Sequence, residues 1–322
     1  MDANKIFECF FPYDYKCTQK LYDDQIQLAH YTTAEALHNI LKNGYVWLRN
    51  VSVMNDYSEL RYGYDVFDKY FHNNYKNIFK YDVFIRDNES YLMRAWNEFK
   101  NDEELVSWYM NTHIMCFTEH NKDDNDGNIM FWQSYGKNGV AIVLKSDIFL
   151  SGKSVRGFCS IPVKYFTYAR FEQYMNEFIQ SVLIHENDIS TMTDEDFLNT
   201  LKYFIRFSIV SMKHPGFDKE KEWRVFGHKN DINMAGLYSD IECIKGIIQP
   251  VFKLKFAITE KDEENCDIYL SQLLDKIIVG PTQQAYYATS KLAIAQALSQ
   301  YYETAEDAIS KIFISSIPYR VI

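Results

Sequence analysis

Apolar and polar residues repeat with two different periods along this chain. Gln27 to Thr32 (QLAHYT) and Tyr45 to Leu48 (YVWL) are short β-rich runs, and between them Leu37, Ile40 and Leu41 recur at helical spacing. Thr32-x-x-Glu35 has the spacing of a capping box, in which a Thr hydroxyl and a Glu carboxylate satisfy free amides at a helix start. Gly44 follows the last apolar position, where a left-handed residue commonly ends a helix. The first 50 residues therefore predict strand, short helix, strand.

Further along, His113 to Thr118 (HIMCFT), Gly139 to Leu144 (GVAIVL) and Glu222 to Phe226 (EWRVF) predict strands. So do Ile161 to Phe166, Val251 to Ala257, Lys276 to Val279 and Ile312 to Ile317. Ile129 to Tyr135 and Gln283 to Tyr301 read as helices. Strands at both ends and in the middle, with helices between them, predict a single α+β domain over 1–322. Its core motifs span 27–322, its sheet is mixed or antiparallel, and 58–110 and 169–212 are helical insertions. The Gly-rich dinucleotide fingerprint and the P-loop are missing, which disfavours those two kinds of nucleotide site.

Composition narrows the classes. A chain of 322 residues that is 47% hydrophobic and 24% charged can bury a full core as a soluble protein. Tyr 25 and Phe 23 raise the aromatic share to 16%, which builds either a core of large rings or a wall for a planar ligand. Lys+Arg 34 against Asp+Glu 44 leaves a net charge of −10, a field that repels phosphate backbones and argues against constitutive nucleic-acid binding. Cys9, Cys17, Cys116, Cys159, Cys243 and Cys266 form no CxxC pair, so they read as reduced thiols in a cytosol. The first residues carry acids and no apolar core of a leader, and no apolar run approaches the roughly 20 residues of a bilayer span. The expectation is a cytoplasmic protein without membrane contact.

Four constellations carry candidate chemistry, each with a structural alternative. His30-Tyr31-Thr32 ends a strand, where an imidazole edge can meet a ligand hydroxyl or simply bond backbone; Thr32 is the expected cap. Asn55-Asp56-Tyr57-Ser58-Glu59 is turn and cap chemistry, or a polar wall of the same cleft. Trp132 and Tyr135 are i, i+3 neighbours that pack a helix on a sheet or stack on a planar ring. Glu222 and Arg224 share a strand face, and a carboxylate beside a guanidinium stays ionised, whether for catalysis or for a structural pair. No HExxH occurs, and no metal is expected.

HYTTAEALHNILKNGYVWLRNVSVMND, CFTEH, MFWQSYGKNGVAIVL, KHPGFDKEKEWRVF, IIVGP and IPYR occur in this order. The series resembles the bacterial domain-of-unknown-function family 2971, from about Ala29 to Arg320. NDYSE stands where that family more usually shows an Asn-Asp-Pro-x-Glu turn. More distantly, His30-Tyr31-Thr32 through Ile40, Leu41 and Gly44 is similar to the first motif of ADP-ribosyltransferases. That resemblance implies an ADP-ribosyltransferase-like fold and NAD as substrate. It casts His30 as the ribose-hydroxyl contact, and Tyr135 as the ring stacked on nicotinamide, with Tyr31, Tyr45 and Trp132 as further aromatic candidates. Glu222 takes the role of the acid that steadies an oxocarbenium-like transition state, beside Arg224. The implied activity is an ADP-ribosyltransferase or NAD glycohydrolase of a toxin or anti-phage effector, its acceptor a protein, a nucleic acid or water. Two other classes stay open: a nucleotide- or peptide-binding sensor or adaptor, and a metal-dependent nuclease built on Asp56, Glu59 and Glu119.

Overall fold

A computed structural model describes residues 1–53, 57–135, 139–145, 159–228, 237–244, 246–257, 269–281 and 284–318. The chain opens with helices α1 (Ala3–Phe10) and α2 (Pro12–Asp23), strand β1 (Gln27–Thr33), helix α3 (Ala34–Asn43) and strand β2 (Tyr45–Asn50). Then come α4 (Tyr57–Ile78), the small hairpin β3 (Ile85–Arg86) and β4 (Glu89–Ser90), α5 (Tyr91–Phe99), α6 (Asp102–Asn111) and β5 (Thr112–His120). The middle holds α7 (Ile129–Tyr135), β6 (Gly139–Leu144), β7 (Cys159–Pro162), α8 (Tyr168–Ile184), α9 (Asp194–Val210) and β8 (Glu222–His228). β9 (Leu237–Ile244), β10 (Ile247–Lys255), α10 (Leu270–Leu273), β11 (Leu274–Val279), α11 (Gln284–Leu298), α12 (Ala305–Ser310) and β12 (Ile312–Ile314) complete it. The architecture is mixed α+β with a mostly antiparallel sheet, as the alternation of patterns predicts.

These elements gather into two compact units. Unit 1 comprises Met1–Lys20, Asn50–Thr112 and Ile161–Arg224. The two stretches expected as helical insertions thus assemble with the N-terminal helices, which the sequence pattern did not predict. Thr167 and Thr193 cap α8 and α9 by accepting from the amides of Arg170 and Asp196. Buried positions then recur every three or four residues: Phe171, Tyr174, Phe178 and Val182 on α8, Phe197, Leu201, Phe204 and Ser208 on α9. The rings of Phe178 and Phe204 stack with centroids 3.8 Å apart. Phe67, Phe71, Trp96 and Phe99 extend this aromatic core, where much of the unusual Phe content goes.

Unit 2 comprises Leu21–Arg49, His113–Ser160 and Val225–Ile322. Its sheet runs β12-β11-β6-β1-β5-β2-β10-β9, with β8 pairing β5 and β7. The β11–β12 pair is parallel; the pairs of β1 with β5 and β6, and of β10 with β2 and β9, are antiparallel. On one face, α3 and α10 bring Leu37, Leu41 and Leu273 toward Val46, Leu48 and Ile142 around a small apolar cavity of about 50 Å³. On the other, Trp132 of α7 packs with Ala29, Tyr31, Ala141, Val143 and Ile278.

The structure corrects several expectations. Thr33, not Thr32, caps α3, accepting from the amide of Ala36 at 3.2 Å. The reason is register: β1 pairs with β6 as far as Thr33 opposite Gly139, so Thr32 is still strand. Gly44 does end α3 with φ +71°, as expected. The strand expected over Ile161 to Phe166 stops at Pro162, and Lys164 makes only an isolated bridge to Met212. The helical stretch of 169–212 breaks between α8 and α9, and the β3–β4 hairpin interrupts that of 58–110. β9 was not predicted; its residues are mostly exposed, so the apolar alternation that marks a half-buried strand is weak.

Candidate functional site

His30 sits where β1 parts from β5. The β1–β5 ladder pairs Gln27, Leu28 and Ala29 with His120, Glu119 and Thr118, and ends there, while β1 continues beside β6 to Thr33. The next acceptor of β5, the carbonyl of Cys116, receives the His30 side chain instead: Nδ1 lies 2.8 Å from it. A carbonyl only accepts, so Nδ1 carries the proton and the neutral ring keeps a lone pair on Nε2. Burial lowers the His30 pKa from the ordinary imidazole value, and the bond to the Cys116 carbonyl partly opposes that. His30 also lines the apolar cavity under α3, where it is the one titratable residue among aliphatic, Phe and Met neighbours.

The expected aromatic partners lie elsewhere. Side chains alternate along a strand, so Tyr31 points to the face opposite His30 and Thr32. There the Tyr31 ring stacks on Phe131 at 4.6 Å and meets Trp132 edge-on at 4.8 Å. Its hydroxyl accepts from the amide of Asn128 at 2.8 Å, and burial pushes the phenol up to about 12. Trp132 is buried and donates from Nε1 to the carbonyl of Asp126 at 3.0 Å. Gly127 makes this possible: it has φ +72°, and a Cβ there would lie 2.5 Å from the indole. Tyr31 and Trp132 are thus brought together, but as helix-on-sheet packing rather than beside the imidazole. Tyr45 alternates with Val46 and so also turns away from the His30 cavity. The Lys253 ammonium sits 4.6 Å over its ring, held by Asp240 at 2.7 Å and Glu242 at 2.5 Å. The side chain of Tyr135 lies outside the described residues.

Glu222 and Arg224 open β8 and belong to unit 1. They do share a strand face. Arg224 donates from Nε to Oε1 at 2.8 Å and from Nη2 to Oε2 at 3.1 Å, the two-pronged geometry that guanidinium and carboxylate favour. Arg224 Nη1 also donates to the carbonyl of Val210. Lys213 adds a donor to Glu222 Oε2 at 3.4 Å and pairs with Glu220 at 2.7 Å. The hydroxyl of Tyr165 accepts from the Glu222 amide at 2.9 Å. Both carboxylate oxygens therefore carry cationic donors, and Glu222 and Arg224 are 8% and 3% exposed. Sequence reasoning named Lys213 as the start of the KHPGFDKEKEWRVF run without giving it a role, and missed Tyr165.

Asn55 and Asp56 lie outside the described residues, as does the side chain of Glu59. Among the described residues no group of three or more His, Cys, Asp and Glu side chains is placed to hold a metal ion. No described helix is long and apolar enough to cross a membrane.

Against known proteins, one relationship appears. Residues 131–225 match a family described as "Protein of unknown function (DUF2971)". The match takes in Trp132, Tyr135, Lys213, Glu222 and Arg224, but not His30, Tyr31, Thr32 or Tyr45. No curated protein matches, and no solved structure does.

Proposed function

We propose that the chain consumes NAD, as an ADP-ribosyltransferase or NAD glycohydrolase with an ADP-ribosyltransferase-like sheet, in the role of a cytoplasmic toxin or anti-phage effector. What carries this is the His30 geometry. An imidazole fixed at the parting of two strands, proton on Nδ1 and lone pair on Nε2, suits a ribose hydroxyl that donates to it. In the reaction the C1′–N bond to nicotinamide breaks and its electron pair leaves with the neutral pyridine. An acceptor nucleophile then bonds C1′ and loses its proton. The resemblance assigns Glu222 the part of the acid that steadies the positive charge developing at C1′ and Tyr135 the stacking part, with Arg224 and Lys213 bonded to that carboxylate.

The test is nicotinamide release from NAD by wild type, His30→Ala and Glu222→Gln. Release by wild type that falls at least about 100-fold in Glu222→Gln supports the reading, a loss typical of one missing electrostatic contact in the transition state. No release by wild type at high enzyme, or equal release by all three, sinks it.

One observation favours a second reading. Both oxygens of Glu222 are already bonded by cations, the arrangement of a structural ion pair. A sensor or adaptor that binds a nucleotide or peptide without turnover needs no free carboxylate. It predicts that NAD or a related nucleotide raises the melting temperature while no nicotinamide appears.

A further inference from the structure

We propose that unit 1 carries a second site, a groove between the N-terminal helices and α8 that binds an extended peptide segment bearing a carboxylate. The groove is open to solvent and spans about 680 Å³. Its α8 wall presents Gln173, Asn176 and Gln180, spaced three and four residues apart and hence one stripe. Among the described residues none of these three carboxamides makes a hydrogen bond. Each offers a donor and an acceptor together, which is what the edge of an extended backbone also presents. From Gln173 to Ile184 the helix rises roughly 16 Å, the reach of about five extended residues. At the far end His185 donates from Nδ1 to the carbonyl of Ser181 at 2.8 Å, which leaves Nε2 as the second polar atom of the ring.

Charge and apolar surface decide the ligand class. Tyr13 of α2 packs on Tyr174 and Lys5 of α1 reaches Asp188, so α2 flanks the start of α8 and α1 its end. The acids of the groove are answered: Glu177 by Arg170 at 2.8 Å and Glu8 by Lys5 at 3.4 Å. Lys16, on the α2 side, has no ion-pair partner among the described residues, which leaves one positive charge for a ligand carboxylate. Ile184, at the other end, is 78% exposed and offers a contact to an apolar side chain. A neutral oligosaccharide would answer the amides but neither Lys16 nor Ile184; a peptide with an acidic residue answers all three.

The test pans a phage-displayed library of random dodecapeptides on the full chain. Synthetic winners are then titrated by fluorescence anisotropy on wild type, Lys16→Glu, Gln180→Ala and Asn176→Trp. Peptides sharing an Asp or Glu, bound about tenfold more weakly by Lys16→Glu and Gln180→Ala and excluded by the bulky Asn176→Trp, are the expected result. Matching melting curves show that the variants fold, and Gln180→Ala, a mild exposed change, serves alone if Asn176→Trp does not. Failure to enrich any peptide, or winners that bind every variant equally, overturns the proposal. Maltohexaose or chitohexaose binding where no peptide binds overturns it in favour of a sugar site. None of these outcomes depends on nicotinamide release, so this site stands or falls apart from the NAD reading.

Discussion

The two units bury charge in opposite ways. In unit 1, charge is set against charge. Lys164 and Asp14 are both wholly buried and lie 2.5 Å apart, with the Ser211 hydroxyl 2.9 Å from the ammonium. Glu222, Arg224 and Lys213 repeat the theme. In unit 2, buried cations meet dipoles and surface acids. Lys276 is 5% exposed, and its ammonium is met by the carbonyls of Lys122 and Asp124 and by Asn125 Oδ1. The half-buried imidazole of His30 and the buried one of His120 bond the carbonyls of Cys116 and Asp124. Removing Lys164 in unit 1 strands a buried charge, whereas removing Lys276 in unit 2 strands neutral oxygens.

The largest effect should therefore come from Lys164→Met. It leaves Asp14 buried without a counter-charge and should cost about 3–5 kcal/mol of stability. The double variant Asp14→Leu/Lys164→Met should recover most of that, since an apolar pair replaces both charges. Lys276→Met in unit 2 should cost less, about 1–3 kcal/mol, the penalty of unanswered carbonyl and amide oxygens. Urea titration of the three variants decides. Equal losses for Lys164→Met and Lys276→Met would erase the contrast between the units.

The aromatic packing of unit 2 gives the next effect. Gly127→Ala forces a Cβ into the Trp132 ring at a left-handed backbone position and should destabilise by about 1–3 kcal/mol. In a nicotinamide assay the same variant, measured well below its melting temperature, should retain activity if Trp132 only packs. A selective loss of turnover with unchanged melting would return Trp132 to the ligand.

The same contrast explains what was legible beforehand. α7 and β6 could be bounded from the sequence because an apolar run lies between turn residues on each side. The helix–Gly44 ending was legible because it is local chemistry. The assembly of α1, α2, α8 and α9 into one unit was not, since it is made of contacts between stretches more than a hundred residues apart. Site residues divide likewise. That Glu222 and Arg224 share a face follows from strand periodicity. That Tyr31 and Trp132 face away from His30 also follows from alternation, but only once the strand's register is known. Nothing local marks the His30 bond to Cys116, 86 positions away in the chain.

Acid should separate the units further. Burial lowers the pKa of His30 and of His120, with the bonded carbonyls partly opposing it. An unfolded imidazole titrates near ~6.5, so below that pH the unfolded chain takes up protons that the folded one refuses. Stability from these two residues is full above about pH 6.5 and falls as the pH drops toward the folded values. Melting temperature should decline between about pH 7 and pH 5. His30→Gln and His120→Gln should each flatten that decline, and a pH slope unchanged in both would show that the imidazoles are not its source.

The smallest effect tests the cavity beside His30. At about 24 cal/mol per Å³, an empty volume of about 50 Å³ corresponds to roughly 1 kcal/mol of lost packing. Val46 lines it from the sheet, and Val46→Ile adds one methylene toward the space. If the cavity is merely imperfect packing, the variant should gain up to about 1 kcal/mol and leave nicotinamide release unchanged. If the space is kept open for the motion that lets a ribose reach His30, stability should rise while turnover falls. A loss of stability in Val46→Ile would mean instead that the methylene meets a wall, and that the volume lies beyond the reach of this strand.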